Sequence, residues 1–290
     1  MVLHQMEYLI HGNILPTSIP EFRPSERILL RQVIGEGYTD STWGRNIGHV
    51  LAFVGVESQE GGSPFREAEE YLSLLLNLYG LKTGQPYVTF SGIGTVIKDL
   101  SNLGVRRVGF PRFNEIGYEG EPLQNHLQYV SNLSRTFQQL ESEREDIINS
   151  PTGLSFQFFH DALMANYRWR LELAVVNFLM SAEALVILKV RSITQKVSRR
   201  IAVLISDTPQ ERDEAYKQLK RLYGIRCGIV HGGGKRASPT DVQALFSYIQ
   251  AALLERLSLR HLSKSDLVEK LDAIFNNWDS KEELVSMRQK

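Results

Sequence analysis

Arg226 and His231 stand five residues apart near the end of a segment that reads as one long helix. Histidine takes up or releases a proton near neutral pH. Arginine keeps its charge and can bind two phosphate oxygens at once. On RNA, which carries its own nucleophile in the 2′-hydroxyl, such a pair needs no metal. The imidazole would move protons at the attacking or leaving oxygen, and the guanidinium would hold the charge of the pentacoordinate phosphorane. A helix C-terminus favours a cation, which suits His231 to the acid role. Both residues also have plainer uses. A histidine before glycines often caps a helix, and an arginine beside a glutamate is often scaffold.

The elements that would position the pair carry their own signal. In Pro209–His231, Ala215, Leu219, Leu222 and Ile229 fall at helical spacing and mark a buried stripe, and Arg226 fills the place between Leu222 and Ile229. An arginine on an apolar face is costly unless it is paired or meets an anion. In the helix spanning 167–190, Val176, Leu179, Val186 and Val190 form a stripe with Glu183 in its middle. Glu183 is therefore expected beside Arg226. Five residues along a helix amount to about 140° around its axis. Arg226 and His231 would converge only at a fraying helix end, or when a two-fold dimer brings two copies together. Gly224 and Gly228 weaken the same helix by roughly 1 kcal/mol each relative to alanine. They leave room for another helix, a phosphate backbone or a bulky local neighbour.

The chain of 290 residues suits two domains or one large one, with 42% apolar and 23% charged residues. Its one cysteine, Cys227, allows no intrachain disulfide. The most apolar helical stretch, Ala174–Val190, is interrupted by Asn177, Ser181, Glu183 and Lys189, and Met1–Ile10 does not read as a signal peptide. An intracellular, cytoplasmic protein is expected. A net charge of zero argues against a protein that coats nucleic acid through bulk charge. Between Lys189 and Arg236, however, twelve Lys/Arg face four Asp/Glu, a local excess of eight positive charges. Lys189, Arg191, Lys196, Arg199 and Arg200 lie at one end, and Lys220, Arg221, Arg226, Lys235 and Arg236 at the other. Such a segment could neutralise phosphates, with Arg199, Arg200, Lys235 and Arg236 as RNA contacts, or could be a solvated helix surface.

The fold expected is α+β. Residues 1–118 read as a mixed α/β region, with strands over Arg27–Ile34, His49–Val56, Gln85–Phe90 and Thr95–Ile97. A helix over Pro64–Tyr79 is expected to end at Gly80. Turn chemistry falls at Gly35–Gly37 and Asp40–Gly44. From 119 to 290 nearly everything has helical spacing, beginning with the stripe Leu123, Leu127, Val130, Leu133, Phe137 and Leu140. Helices are expected over Ser155–Ala165, Tyr167–Val190, Ile193–Ile205, Pro209–His231, Pro239–Leu262 and Asp266–Asn276, with Pro209 and Glu211 as start signals of the fourth.

The string Leu222-Tyr223-Gly224-Ile225-Arg226-Cys227-Gly228-Ile229-Val230-His231-Gly232-Gly233 resembles the end of the HEPN domain, in its ApeA-like branch. That branch commonly reads tyrosine, two residues, arginine, and later isoleucine-valine-histidine-glycine-glycine. Ser181-Ala182-Glu183-Ala184-Leu185 is similar to its glutamate-containing helix. The likeness covers 155–234. It implies a metal-independent endoribonuclease without cofactors, working as a homodimer with a composite site. It also implies a role in defence, toxin–antitoxin or stress systems, RNA as partner, and an antitoxin or other defence protein as a further partner. Arg226 and His231 would be catalytic, with Glu183, Cys227 and Tyr223 in support. The residue after the arginine is commonly Asn, Asp, His or Ser in relatives, where this chain has Cys227. Some relatives keep the fold as a noncatalytic dimerisation or RNA-binding module, which is the alternative reading.

Other motifs carry less. His231-Gly232-Gly233-Gly234 matches an esterase oxyanion loop, but no G-x-S-x-G elbow accompanies it. Gly92-x-Gly94 lacks the third glycine of a dinucleotide fingerprint. The remaining histidines show no zinc spacing, and His160-Asp161 reads as helix surface. Tyr167 and Trp169 read as core aromatics rather than base-stacking platforms.

Overall fold

The computed structural model describes residues 2–11, 21–32, 49–58, 64–84, 87–96, 126–188, 192–277 and 281–287. The chain is α+β and divides into two compact units, 1–145 and 146–290. The turns expected at 35–37 and 40–44, the stretch 117–122, and Lys189, Val190 and Arg191 lie outside the described residues.

In the first unit a five-stranded antiparallel sheet has the order β2-β3-β4-β1-β5. The strands are β1 (Val2–His11), β2 (Glu21–Ser25), β3 (Ile28–Gln32), β4 (His49–Ser58) and β5 (Val88–Val96). β1 pairs with β4 from Val2↔Ser58 to His11↔His49 and with β5 on its other edge. Helix α1 (Pro64–Thr83) packs against the sheet and buries Tyr71, Leu72, Leu75, Leu76 and Tyr79. Gly80 does not end α1 as expected. It is buried inside the helix, and Gly84, at φ +69°, donates from its N–H to the Gly80 carbonyl at 2.9 Å.

Helix α2 (His126–Leu140) belongs to this unit. The boundary expected at 118/119 therefore moves to 145/146. The physical reason is that α2 is tied to the sheet and to α1. Ser134 Oγ and Gln138 Nε2 both donate to the Pro24 carbonyl at 2.9 Å, and Lys82 Nζ donates to Thr136 Oγ1 at 2.8 Å.

The second unit is a helical bundle. After the short α3 (Arg144–Ile148) come α4 (Pro151–Tyr167), α5 (Leu171–Val186), α6 (Ile193–Ile205), α7 (Pro209–Val230), α8 (Pro239–Ser258), α9 (Lys264–Asn276) and α10 (Lys281–Ser286). Serine caps open α4, α8 and α9, through Ser150, Ser238 and Ser263. Small residues let α4 and α5 approach closely. Ser155 Oγ and Ser181 Oγ each donate to the other's carbonyl at 2.8 Å. Phe159 lies 5.4 Å from Phe178 and 5.8 Å from Phe246, ring centre to ring centre, and knits α8 to both. Each such buried side chain stabilises the bundle by about 1.5–3 kcal/mol.

Candidate functional site

Helix α7 begins with a reciprocal cap. The Glu211 N–H donates to Thr208 Oγ1, and the Thr208 N–H donates to Glu211 Oε2. The backbone N–H of Asp207 first, and that of Thr208 second, hold the exposed Glu211 carboxyl below its ordinary range. Ala215, Leu219 and Leu222 are buried and Ile229 is half-buried, so the stripe read from the sequence faces the bundle. Arg226 lies on that stripe, and its guanidinium reaches Glu183 Oε1 on α5 at 3.5 Å. Each side chain is about a quarter exposed, 24% and 22%. The Tyr223 hydroxyl, fully buried, donates to the same carboxylate oxygen at 3.2 Å. Burial first, and the Glu183 carboxylate second, hold the Tyr223 phenol well above its ordinary value. Arg226 Nε is buried without a hydrogen-bond partner. Half-buried Cys227 is a free thiol on the same turn.

His231 is the C-cap of α7 and is exposed. The helix closes in a Schellman turn. The Gly232 N–H donates to the Ile229 carbonyl at 3.4 Å and the Gly233 N–H to the Gly228 carbonyl at 2.7 Å, with Gly232 at φ +71°. The helix is thus regular through Val230 and does not fray. Arg226 and His231 remain about 140° apart around α7, and a single chain keeps them on different faces.

The face that carries His231 also carries Gly224 and Gly228, and it is occupied by the chain's own Lys235. A Cβ at Gly228 would lie 2.5–2.8 Å from three side-chain carbons of Lys235, and one at Gly224 would lie 3.7 Å from its Nζ. The two glycines form a notch for a lysine stem. Of the readings open in the sequence, the bulky local neighbour is the one present.

Four cations of the basic segment, Arg200, Arg221, Arg226 and Arg236, pair with carboxylates from outside it. Arg200, expected from the sequence as an RNA contact, is instead buried and structural. Its Nε and Nη2 donate to Asp272 on α9 at 2.8 and 2.6 Å, and its Nη1 donates to the Val186 carbonyl at 2.7 Å. Arg199 stacks on Phe275 with its guanidinium 4.6 Å from the ring centre. Arg221 pairs with Asp241 at 2.8 Å, and Arg212 with Asp213 at 2.8 Å. Arg236 is 87% exposed and reaches Glu172, in the first turn of α5, at 3.6 Å. Glu172 is held below its ordinary value by its own backbone N–H, by that of Ala237 and by Arg236. Lys217, Lys220 and Lys235 are exposed. Among the described residues no group of three His, Cys, Asp or Glu is arranged to hold a metal ion.

Trp169 is not a core aromatic. It is 79% exposed, in the turn between α4 and α5, while Tyr167 is half-buried. Its neighbours Arg168 and Arg170 are exposed as well. The signal in the sequence is its position between two arginines, off every apolar stripe.

No protein family, no curated protein and no solved structure matches this chain.

Proposed function

We propose that the bundle is a HEPN-type, metal-independent endoribonuclease. His231 moves the proton at the 2′-hydroxyl or the leaving 5′-oxygen, and Arg226 stabilises the phosphorane. The observation that carries this reading is the pairing of Arg226 with Glu183 one turn before a helix end that presents His231 to solvent. Glu183 fixes the guanidinium, and Tyr223 fixes Glu183. Because the two groups face different sides of α7, the site is completed by a second copy in a homodimer. An antitoxin or other defence protein would act on this interface.

A second reading is a noncatalytic HEPN-fold module for dimerisation or RNA binding. The observation favouring it is that Arg226 and His231 each already have a structural task, the ion pair and the helix cap.

The test is to incubate wild type, Arg226→Ala, Arg226→Lys and His231→Ala with total RNA in EDTA, after circular dichroism has shown each folded. The ribonuclease reading expects cleavage by wild type, loss in Arg226→Ala and His231→Ala, and 2′,3′-cyclic phosphate ends. Equal cleavage by all four, or by none, overturns it.

A further inference from the structure

Helix α4 ends in the same Schellman turn as α7. The Trp169 N–H donates to the Asn166 carbonyl and the Arg170 N–H to the Ala165 carbonyl, both at 2.9 Å. In α7 the left-handed position of this turn is Gly232, the residue type that fits it. In α4 the same position is Trp169, at φ +55°. A bulky side chain there is a backbone outlier, and such outliers concentrate where chains bind something. The ring gains little from the fold in return, since Trp169 is the most exposed large apolar side chain among the described residues. Two exposed guanidiniums flank it, and neither Arg168 nor Arg170 has a carboxylate partner among the described residues. The turn also lies at the end of the bundle where the chain leaves α7. Arg236, five residues after His231, pairs with Glu172, three residues after Trp169.

We propose that Trp169 is a base-stacking platform for single-stranded RNA, with Arg168, Arg170 and Arg236 holding the phosphates on either side of the stacked base. This rests on the ribonuclease reading for the identity of the nucleic acid, and it adds a subsite to that reading. The chemistry selects the ligand. A bare indole face accepts a flat ring, and exposed guanidiniums accept phosphates. An unstacked nucleotide supplies both within one residue.

The test uses the full-length chain carrying His231→Ala, so that bound RNA stays intact, in EDTA. The probes are a fluorescein-labelled oligouridylate and an abasic oligomer of the same length, read by anisotropy over a salt series. Removing one stacked base contact weakens binding about tenfold or more. Trp169→Ala is therefore expected to weaken oligouridylate binding about tenfold, Trp169→Phe to retain most of it, and neither to change binding of the abasic oligomer. Arg168→Ala with Arg170→Ala should weaken both probes and flatten the salt dependence. Unchanged oligouridylate binding in Trp169→Ala overturns the proposal, as does an equal loss on both probes. No binding by the parent at low salt also overturns it. Loss of binding to phosphatidylserine vesicles in Trp169→Ala, with RNA binding intact, overturns it in favour of a membrane surface. If wild type binds as expected but never cleaves, the ribonuclease reading falls and the stacking site stands.

Discussion

The two Schellman turns make a paired prediction about stability. Gly232 sits at φ +71°, and a Cβ built there meets nothing within 4 Å. Gly232→Ala therefore adds backbone strain and no clash. A left-handed conformation costs an L-residue roughly 1–2 kcal/mol. The smaller freedom of alanine in the unfolded chain returns roughly 0.5–1 kcal/mol. The expected loss is about 0.5–1 kcal/mol. At Trp169, φ +55°, the same difference separates two variants rather than variant and wild type. Trp169→Ala and Trp169→Gly remove the same ring contacts, so their difference is the backbone alone. Trp169→Gly should be the more stable by about 0.5–1 kcal/mol. The sign is diagnostic, because inside a helix glycine is the worse residue by roughly 1 kcal/mol. Urea unfolding of the full chain, followed by far-ultraviolet circular dichroism, reads both differences. Thermal midpoints should differ by roughly 1–4 °C in the same order. An alanine at 169 as stable as glycine, or a neutral Gly232→Ala, would refute the reasoning.

Three further outcomes follow from the site. Glu183→Gln keeps an acceptor for the buried Tyr223 hydroxyl and loses only a partly exposed ion pair, so it should cost at most about 1 kcal/mol, whereas Glu183→Ala orphans the hydroxyl and should cost about 1–3 kcal/mol more in urea unfolding. Tyr223 holds its proton above its ordinary 10.0 in the folded chain, so unfolded chains release theirs first and this contribution to stability is lost as pH rises past about 10; the urea midpoint of Tyr223→Phe should fall less than that of wild type between about pH 9 and about pH 11. Gly228→Ala should stabilise the chain by about 1 kcal/mol when combined with Lys235→Gly, which removes the Cβ, Cγ and Cδ that the new methyl would meet, and by clearly less when Lys235 must leave its notch, a coupling that a double-mutant cycle on thermal midpoints would detect.

Periodicity and charge placement make part of this molecule legible in its amino-acid sequence. The stripe of α7 is a local pattern, and of the stripe expected for α5 Leu179 and Val186 are buried while Val176 is half-buried; the two charges set among them point at each other because each would otherwise be stranded on an apolar face. Glu183 and Arg226 are indeed 3.5 Å apart. The cap of α7 is half visible in Pro209 and Glu211. What stays hidden is non-local. β1 occupies the sheet interior with Gln5 fully buried, but His4, Gln5 and Glu7 obscure its alternation in sequence. Arg200 reads as a surface cation until Asp272, far along the chain, is seen to grip it with two hydrogen bonds. The local excess of positive charge misleads for the same reason. The acids answering Arg200, Arg221, Arg226 and Arg236 come from α9, α8 and α5, outside the basic segment itself.

Residues that serve the fold are poor witnesses to function, because an ion pair or a helix cap looks the same in an enzyme and in a scaffold. Arg226 and His231 are both of that kind. A residue that the fold would exchange at a gain is better evidence, since consistency between local preference and global structure is the default. Trp169 occupies a glycine position, is 79% exposed and is flanked by two arginines without a carboxylate partner among the described residues. The chain ends α7 with glycine in the same turn, so the motif itself does not demand an aromatic. The stacking proposal gives this ring a partner that the described residues do not supply. The cleavage assay asks whether α7 does chemistry, and the stacking assay asks what is brought to it. A result in which Trp169→Ala lowers cleavage of a long RNA while cleavage of a dinucleotide keeps the wild-type rate would join the two into one site.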